Sequence, residues 1–217
     1  MRQFRFQYRR PFSRGLIQRY APQGIGLEVG VGALTIAPVR RTILSDGFQD
    51  HASVGSIAQV YFKAEELPFE DSALDFILSE HVLEHLKNPV RVLTEWKRAL
   101  KPEAILFLFL PHQGRTFDSD RTRTTLAHLI EHERHDDSHF DESHLDDWMK
   151  HVISRGRALH YSVIPIERHV ELGLVHHHCW IAEDICELLQ YLGFEVLEFN
   201  NLCPDRLDSF VVVAKKL

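Results

Sequence analysis

Eight consecutive residues, Ile25-Gly26-Leu27-Glu28-Val29-Gly30-Val31-Gly32, constrain the fold of this chain more than any other stretch. A short apolar run bounded by glycines reads as a buried strand of an α/β sheet. Gly30 and Gly32 then let the backbone turn sharply and let a ligand approach main-chain atoms. A branched side chain at Gly30 is expected to block that approach. Glu28 lies within the apolar run, where an unpaired carboxylate is costly. It is therefore expected to face the cleft at the strand's carboxyl end, where open α/β sheets bind ligands. A lone Gly-x-Gly is common, so its meaning depends on the rest of the chain.

Beyond Gly32 the chain alternates strand and helix. Residues 41–45, 60–64, 75–79 and 104–110 read as strands two to five, the fifth apolar throughout and so central. Pro38 interrupts any helix begun at Ala33, leaving little room for a first crossover helix. Asp46 ends the second strand. A carboxylate there holds a ribose hydroxyl in dinucleotide-type folds, and equally suits a plain Asp-Gly turn. Asn88 and Pro89 read as N-cap and first residue of a helix with Val92, Leu93, Trp96, Ala99 and Leu100 on its apolar face, stopped by Pro102. Residues 180–192 form a second amphipathic helix closed by Gly193, and 194–199 and 210–214 an antiparallel hairpin. Residues 112–178 are polar and histidine-rich, with helices expected at 124–133 and 143–151. The fold class is α/β: a Rossmann-like, doubly wound, mostly parallel sheet with a C-terminal antiparallel hairpin and a mainly helical insertion after the fifth strand. One domain is expected over residues 1–217, with a basic arm at 1–20 and the insertion as a lid that binds the acceptor.

Composition narrows the setting. No apolar run approaches the ~20 residues of a membrane span, and the first residues lack an apolar signal core, so a cytoplasmic protein is expected. Cys179, Cys186 and Cys203 form no CxxC pair and read as reduced thiols. The net charge of -6 hides an asymmetry. Arg2, Arg5, Arg9, Arg10, Arg14 and Arg19 precede Glu28 with no acidic residue among them. That is either an arm for nucleic acid or an N-terminal helix or arm docked through Phe4, Phe6, Tyr8 and Phe12. The acidic remainder would repel a phosphate backbone, which favours docking.

Four pieces stand in a recognisable order: 27–32 (Leu-Glu-Val-Gly-Val-Gly), 64–69 (Ala-Glu-Glu-Leu-Pro-Phe), 74–86 with its Ser79-Glu80-His81-Val82-Leu83-Glu84-His85 core, and 98–102 (Arg-Ala-Leu-Lys-Pro). Together they resemble the class I S-adenosylmethionine-dependent methyltransferases, in the type 11 subgroup, over residues 25–111. The resemblance implies that Glu28, Gly30 and Gly32 hold the methionine part of the cofactor and Asp46 the ribose. It implies that Ala64 and Glu65 meet the adenine, and that Ser79 and His81 lie beside the methionine and the acceptor. The sequence departs from the family at Ala33-Leu34, at Lys63, where an Asp is frequent, and at Glu103-Ala104.

Methyl transfer from a sulfonium needs alignment and a dry cleft, and a general base only when the acceptor must lose a proton. His81 and His112, at carboxyl ends of central strands, are the candidate catalytic residues. The bland reading makes His81 and His85 helix-start packing. Arg115 and Arg123 are candidates to grip an anionic acceptor; Arg121 shares that stretch, and all three could instead pair with Asp118 and Asp120. His132, His135, Asp136, His139, His144 and His176–His178 have spacings compatible with a metal, yet no HExxH occurs and no cysteine lies near the first group. A solvated acidic surface is the economical account, and no metal is assigned. The reading is an S-adenosylmethionine-dependent methyltransferase, with S-adenosylhomocysteine as product, acting on a small-molecule or glycan-type acceptor rather than nucleic acid. Its rivals are a non-catalytic cofactor-binding module, favoured by Ala33 and Lys63, and an RNA methyltransferase using the Arg-rich arm.

Overall fold

The computed structural model describes residues 10–51, 54–134, 142–158 and 164–217. Phe4, Phe6 and Tyr8 of the arm, and His135, Asp136 and His139 of the insertion, lie outside them. Helix α1 (Pro11–Tyr20) leads into β1 (Gly26–Val29), β2 (Thr42–Asp46), the short pair β3 (Asp50–His51) and β4 (Val54–Gly55), β5 (Val60–Tyr61) and β6 (Leu74–Glu80). Helix α2 (Pro89–Ala99) and β7 (Leu100–Pro111) come next. Then come α3 (Leu126–Arg134), α4 (Glu142–Trp148) running into a π-type turn at Met149–Ile153, α5 (Glu167–Glu171) and α6 (Ala182–Tyr191), closed by β8 (Phe194–Asn200) and β9 (Ser209–Lys216). The main sheet has the order β5-β2-β1-β6-β7-β9-β8, with every pair from β5 to β7 parallel and β9 antiparallel to both its neighbours. The mostly parallel sheet, the terminal antiparallel hairpin and the helical insertion after the fifth strand of the wound order are thus all present.

Alternation along β7 builds two cores. Leu106, Leu108 and Leu110 face α2 and α6, where Trp96, Leu93, Leu188 and Leu189 are buried. Ile105, Phe107 and Phe109 face the other side and meet Leu16 and Ile17 of α1. The basic N-terminal segment is therefore helical from Pro11 and docked, with Ser13 buried as well. As Pro38 requires, no helix links β1 to β2; residues 33–38 are irregular and lead to a 3-10 turn at Val39–Arg41. Asn88 Oδ1 accepts the Arg91 N–H at 3.0 Å, capping α2. Gly193 closes α6 at φ +73°, and Lys97 Nζ donates to the Leu192 and Gly193 carbonyls at 2.7 and 2.9 Å.

Two strand boundaries differ from expectation: the strand expected over 60–64 is only Val60–Tyr61, and the one expected from 104 begins earlier. β7 starts at Leu100, so Pro102 lies inside the strand rather than only ending the helix before it. The register with β6 shifts between Leu74↔Leu100 and Phe76↔Ile105, and Glu103 adopts φ +63°. The irregularity carries the proline where no ladder hydrogen bond is asked of it. Among the described residues no helix is long and apolar enough to cross a membrane.

Candidate cofactor site and acceptor rim

Both glycines after β1 adopt left-handed conformations, φ +72° at Gly30 and +54° at Gly32, which non-glycine residues enter at a cost. They do different work. The Gly30 and Val31 N–H groups donate to the Ser45 carbonyl at 2.9 and 3.0 Å, pinning the turn to β2. A Cβ at Gly30 would lie 2.2 Å from Val82 Cγ2, so bulk there collides with the protein itself. A Cβ at Gly32 would meet nothing within 4 Å. Gly32 is where the backbone opens.

The two carboxylates of this rim are occupied by the chain. Glu28 is 1% exposed, and its Oε2 accepts the Thr35 hydroxyl from the irregular segment that replaces the first helix. Burial pushes its carboxyl up to about 8, against the hydrogen bonds from Thr35 and the Ile36 backbone. Asp46 Oδ2 accepts the Gly32 N–H at 2.9 Å and the Ser56 hydroxyl at 2.8 Å, and Oδ1 the Phe48 N–H at 3.2 Å. Asp46 thereby ties the glycine turn to the loop after β2. Ser79, in β6 beside Val29, is fully buried, and its Oγ has no hydrogen-bond partner among the described residues. Ala64 is buried with its carbonyl accepting Trp96 Nε1 at 2.9 Å, and Glu65 comes directly after it, half-buried.

Past β6 the rim is latched from both ends of the chain. Glu80 Oε1 takes Arg10 from the start of α1 at 2.6 Å and Arg206 from the turn before β9 at 3.1 Å. Arg206 also donates to His81 Nδ1 at 3.0 Å, which leaves the proton on Nε2, and that nitrogen lies 2.7 Å from Ser209 Oγ. Ser209 Oγ donates onward to Asp208 Oδ1 at 2.8 Å. Burial, with the Arg206 guanidinium next, holds the imidazole well below its ordinary value, so it is neutral with both nitrogens engaged. Its φ of +53° turns the chain sharply at the strand end.

His112 caps the turn after β7. Its Nδ1 accepts the Gly114 N–H at 3.1 Å, and burial and Arg115 lower its affinity for protons. Its own N–H donates to the Asp208 carbonyl at 2.8 Å. Arg115 reaches the Asn201 and Ser209 carbonyls. Asp208 and Ser209, at the start of β9, thus bring His81, His112 and Arg115 together, a convergence no local pattern in the sequence signals. Arg123 stands apart, exposed, 3.5 Å from Asp184 at the start of α6.

Behind the rim lies a buried charge network. Arg121 pairs with Asp118 at 2.8 Å and Asp147 at 2.6 Å, and Asp118 holds His176 Nδ1 at 2.7 Å. Burial alone would raise the Asp118 carboxyl; His176 and Arg121 overcome it and hold the group below its usual range. Glu84 is fully buried, its oxygens have no hydrogen-bond partner among the described residues, and His81 and His85 stand 3.8 Å away. Burial pushes its carboxyl up to about 7. Sequence reasoning does not find the parts played by Thr35, Asp118 and Glu84, because nothing in their neighbours marks a long-range partner. A separate hollow of about 560 Å³, lined by Tyr20, Asp75 and Lys101, opens at the amino ends of the strands, away from the glycine turn.

Residues 27–108 match a family model described as a methyltransferase domain. An uncharacterized protein of Methanocaldococcus jannaschii is 38% identical over 89 residues, 39% of this chain and 43% of the relative; the match spans less than half of that protein. A Thermotoga maritima S-adenosylmethionine-dependent methyltransferase shares the fold at TM-score 0.55 and 17% identity, over 98% of this chain and 92% of that one. One from Methanosarcina mazei does so at 0.53 and 20%, over 93% and 97%. The 1,6-didemethyltoxoflavin-N1-methyltransferase of Burkholderia thailandensis, solved with S-adenosylhomocysteine bound, matches at 0.55 and 12%, over 96% and 77%. The first two of these structural neighbours depend, by their descriptions, on S-adenosylmethionine. The residues here fit it in two respects: backbone bared at Gly32, and a buried hydroxyl at Ser79 with no partner among the described residues.

Proposed function

We propose that the protein transfers a methyl group from S-adenosylmethionine to a small-molecule or glycan-type acceptor. The observation that carries this reading is Gly32: left-handed, held by its N–H on Asp46, and open where a side chain would stand. Bound there, the cofactor supplies a methyl already activated by sulfonium charge. The chain supplies orientation. In this reading Gly30, Gly32, Glu28 and Ser79 line the methionine side, Asp46 the ribose, and Ala64 and Glu65 the adenine.

His81 then acts as a positioning residue, since both its nitrogens are engaged. His112 presents Nε2–H, because Nδ1 accepts from Gly114, and so offers the acceptor a hydrogen bond rather than a ready base. That arrangement suits an acceptor atom that brings its own lone pair. Arg115 and Arg123 supply positive charge that suits an anionic acceptor, while the acidic remainder of the chain disfavours a nucleic-acid backbone. Calorimetry with S-adenosylmethionine and S-adenosylhomocysteine, and then labelled methyl transfer into fractionated metabolites, tests the reading. Binding plus a labelled small product is the expected result; no binding of either nucleoside would overturn it.

A second reading has its own support. Glu28 and Asp46 are satisfied by Thr35, Ser56 and backbone N–H groups, as in a module that binds the cofactor without turnover. Binding with no labelled product in any fraction would favour it.

A further inference from the structure

The insertion gathers imidazoles that the methyltransferase reading does not use. α3 places His128 and His132 one turn apart with stacked rings, 6.1 Å between centroids. α4 brings His144, whose ring lies 5.1 Å from that of His128 and 4.9 Å from that of His178. His178 is fully buried against Trp180. Its Nε2 lies 3.1 Å from the Lys87 carbonyl, which can only accept, so Nε2 carries the proton and Nδ1 the lone pair. That Nδ1 is buried and has no hydrogen-bond partner among the described residues. His128 Nε2 and His144 Nε2 face each other at 2.9 Å, and one donor nitrogen from each of His128, His144 and His178 falls within 4.8 Å of the others.

We propose that His128, His144 and His178 form a zinc site. A hydrogen bond between His128 and His144 satisfies one lone pair and still strands the nitrogen of His178. A single cation satisfies all three at once. Three imidazoles with no carboxylate or thiolate among them match zinc, which takes His nitrogens at about 2.0–2.1 Å. The Lys87 carbonyl on the far nitrogen of His178 is the outer partner that fixes the tautomer of a ligating histidine. His128 is exposed and gives the ion a way in. Water completes the fourth position, with His132 alongside. The ion clasps three segments remote in sequence, α3, α4 and the buried run to Trp180, and Trp180 bridges directly to His112. Glu84, His85 and His176 also bring donor atoms within 4.8 Å. There, however, His176 is held by Asp118 with Arg121 behind it, and Arg206 faces Glu84, so a dication would meet two guanidinium groups.

The test needs no cofactor. Full-length protein, freed of any affinity tag and stripped by a chelator, is titrated with zinc against a chromophoric competitor, and its thermal unfolding is measured with and without zinc. Wild type is expected to bind one equivalent and to melt higher with zinc, and cobalt(II) in its place to give the visible bands of a tetrahedral site. H128A/H144A is expected to bind at least about a hundredfold more weakly and to lose the zinc-dependent rise, while H85A/H176A keeps both. Should H128A/H144A fail to fold, H128Q at the exposed position is expected to weaken binding about tenfold. Equal zinc binding by wild type and the His128 variants, or loss of the equivalent in H85A/H176A alone, overturns the proposal.

Discussion

Glu28 and Glu84 are both buried glutamates with raised carboxyl affinities for protons, yet their surroundings are opposite. Glu28 is served from seven residues away, by Thr35 and the Ile36 backbone. Among the described residues neither Glu84 oxygen has a hydrogen-bond partner; His176 of the insertion and Arg206 before β9 favour its charged form, and Asp118 opposes it. A carboxylate inside a contiguous motif is managed locally. One at the edge of that motif depends on packing from residues far along the chain. The glycine rim is therefore held chiefly by residues near it in sequence, whereas the Glu84 side is tied to the insertion, its carbonyl accepting the His177 and His178 N–H groups.

Substitutions can break or sharpen that contrast. The largest effect is expected at Asp118→Ala, which strips a buried arginine and histidine of their shared partner; a loss of about 3–5 kcal/mol should appear in urea unfolding. A loss below about 1 kcal/mol would mean the network carries little and the contrast is only geometric. Gly30→Ala comes next, at about 2–4 kcal/mol, from a left-handed residue forced against Val82. Gly32→Ala, with open space around it, should cost only about 1 kcal/mol of stability but reduce S-adenosylmethionine affinity measurably by calorimetry. Equal stability losses at the two glycines would show that strain, not packing, sets the cost.

Glu28→Gln addresses the local carboxylate. With its folded value raised from 4.5 to about 8, the folded state holds an extra proton between those values. That contribution is fully present below pH 4.5 and is lost as pH rises to 8, so wild-type stability falls across the window. Gln keeps the acceptor for Thr35 and cannot ionise, so its stability curve should be flatter, by up to about 5 kcal/mol at the upper end of the window; parallel curves would refute the buried, protonated carboxyl. The smallest effect belongs to Arg123→Ala. Its exposed pair with Asp184 should be worth under about 0.5 kcal/mol, and only a raised acceptor KM at unchanged kcat would give it a binding role.

Legibility from sequence obeys the same division. The glycine turn, the capped helix at Asn88–Pro89, the missing first crossover helix and the closing hairpin are each set by residues within a few positions of one another, and each is found. Open backbone is expected at both glycines and found at Gly32 alone, because Val82, far along the chain, fills the space at Gly30. The joining of His81, His112 and Arg115 by Asp208 and Ser209 is not legible, since β9 reaches that rim only through its place in the sheet. His128 escapes sequence reasoning for a similar reason: its partners are His144 and His178, and no single spacing links all three.

The position of β9 also governs how the molecule must be built. It is made after β8 yet lies between β7 and β8, with every residue from Ser209 to Ala214 buried. Until it is synthesised, one margin of the apolar β7 has bare amide and carbonyl groups, ready to accept any extended chain nearby. Emergence from the ribosome thus leaves a sticky intermediate whose remedy is a segment made late, and conditions that stall synthesis between residues 111 and 209 should send this protein to aggregates or to a chaperone.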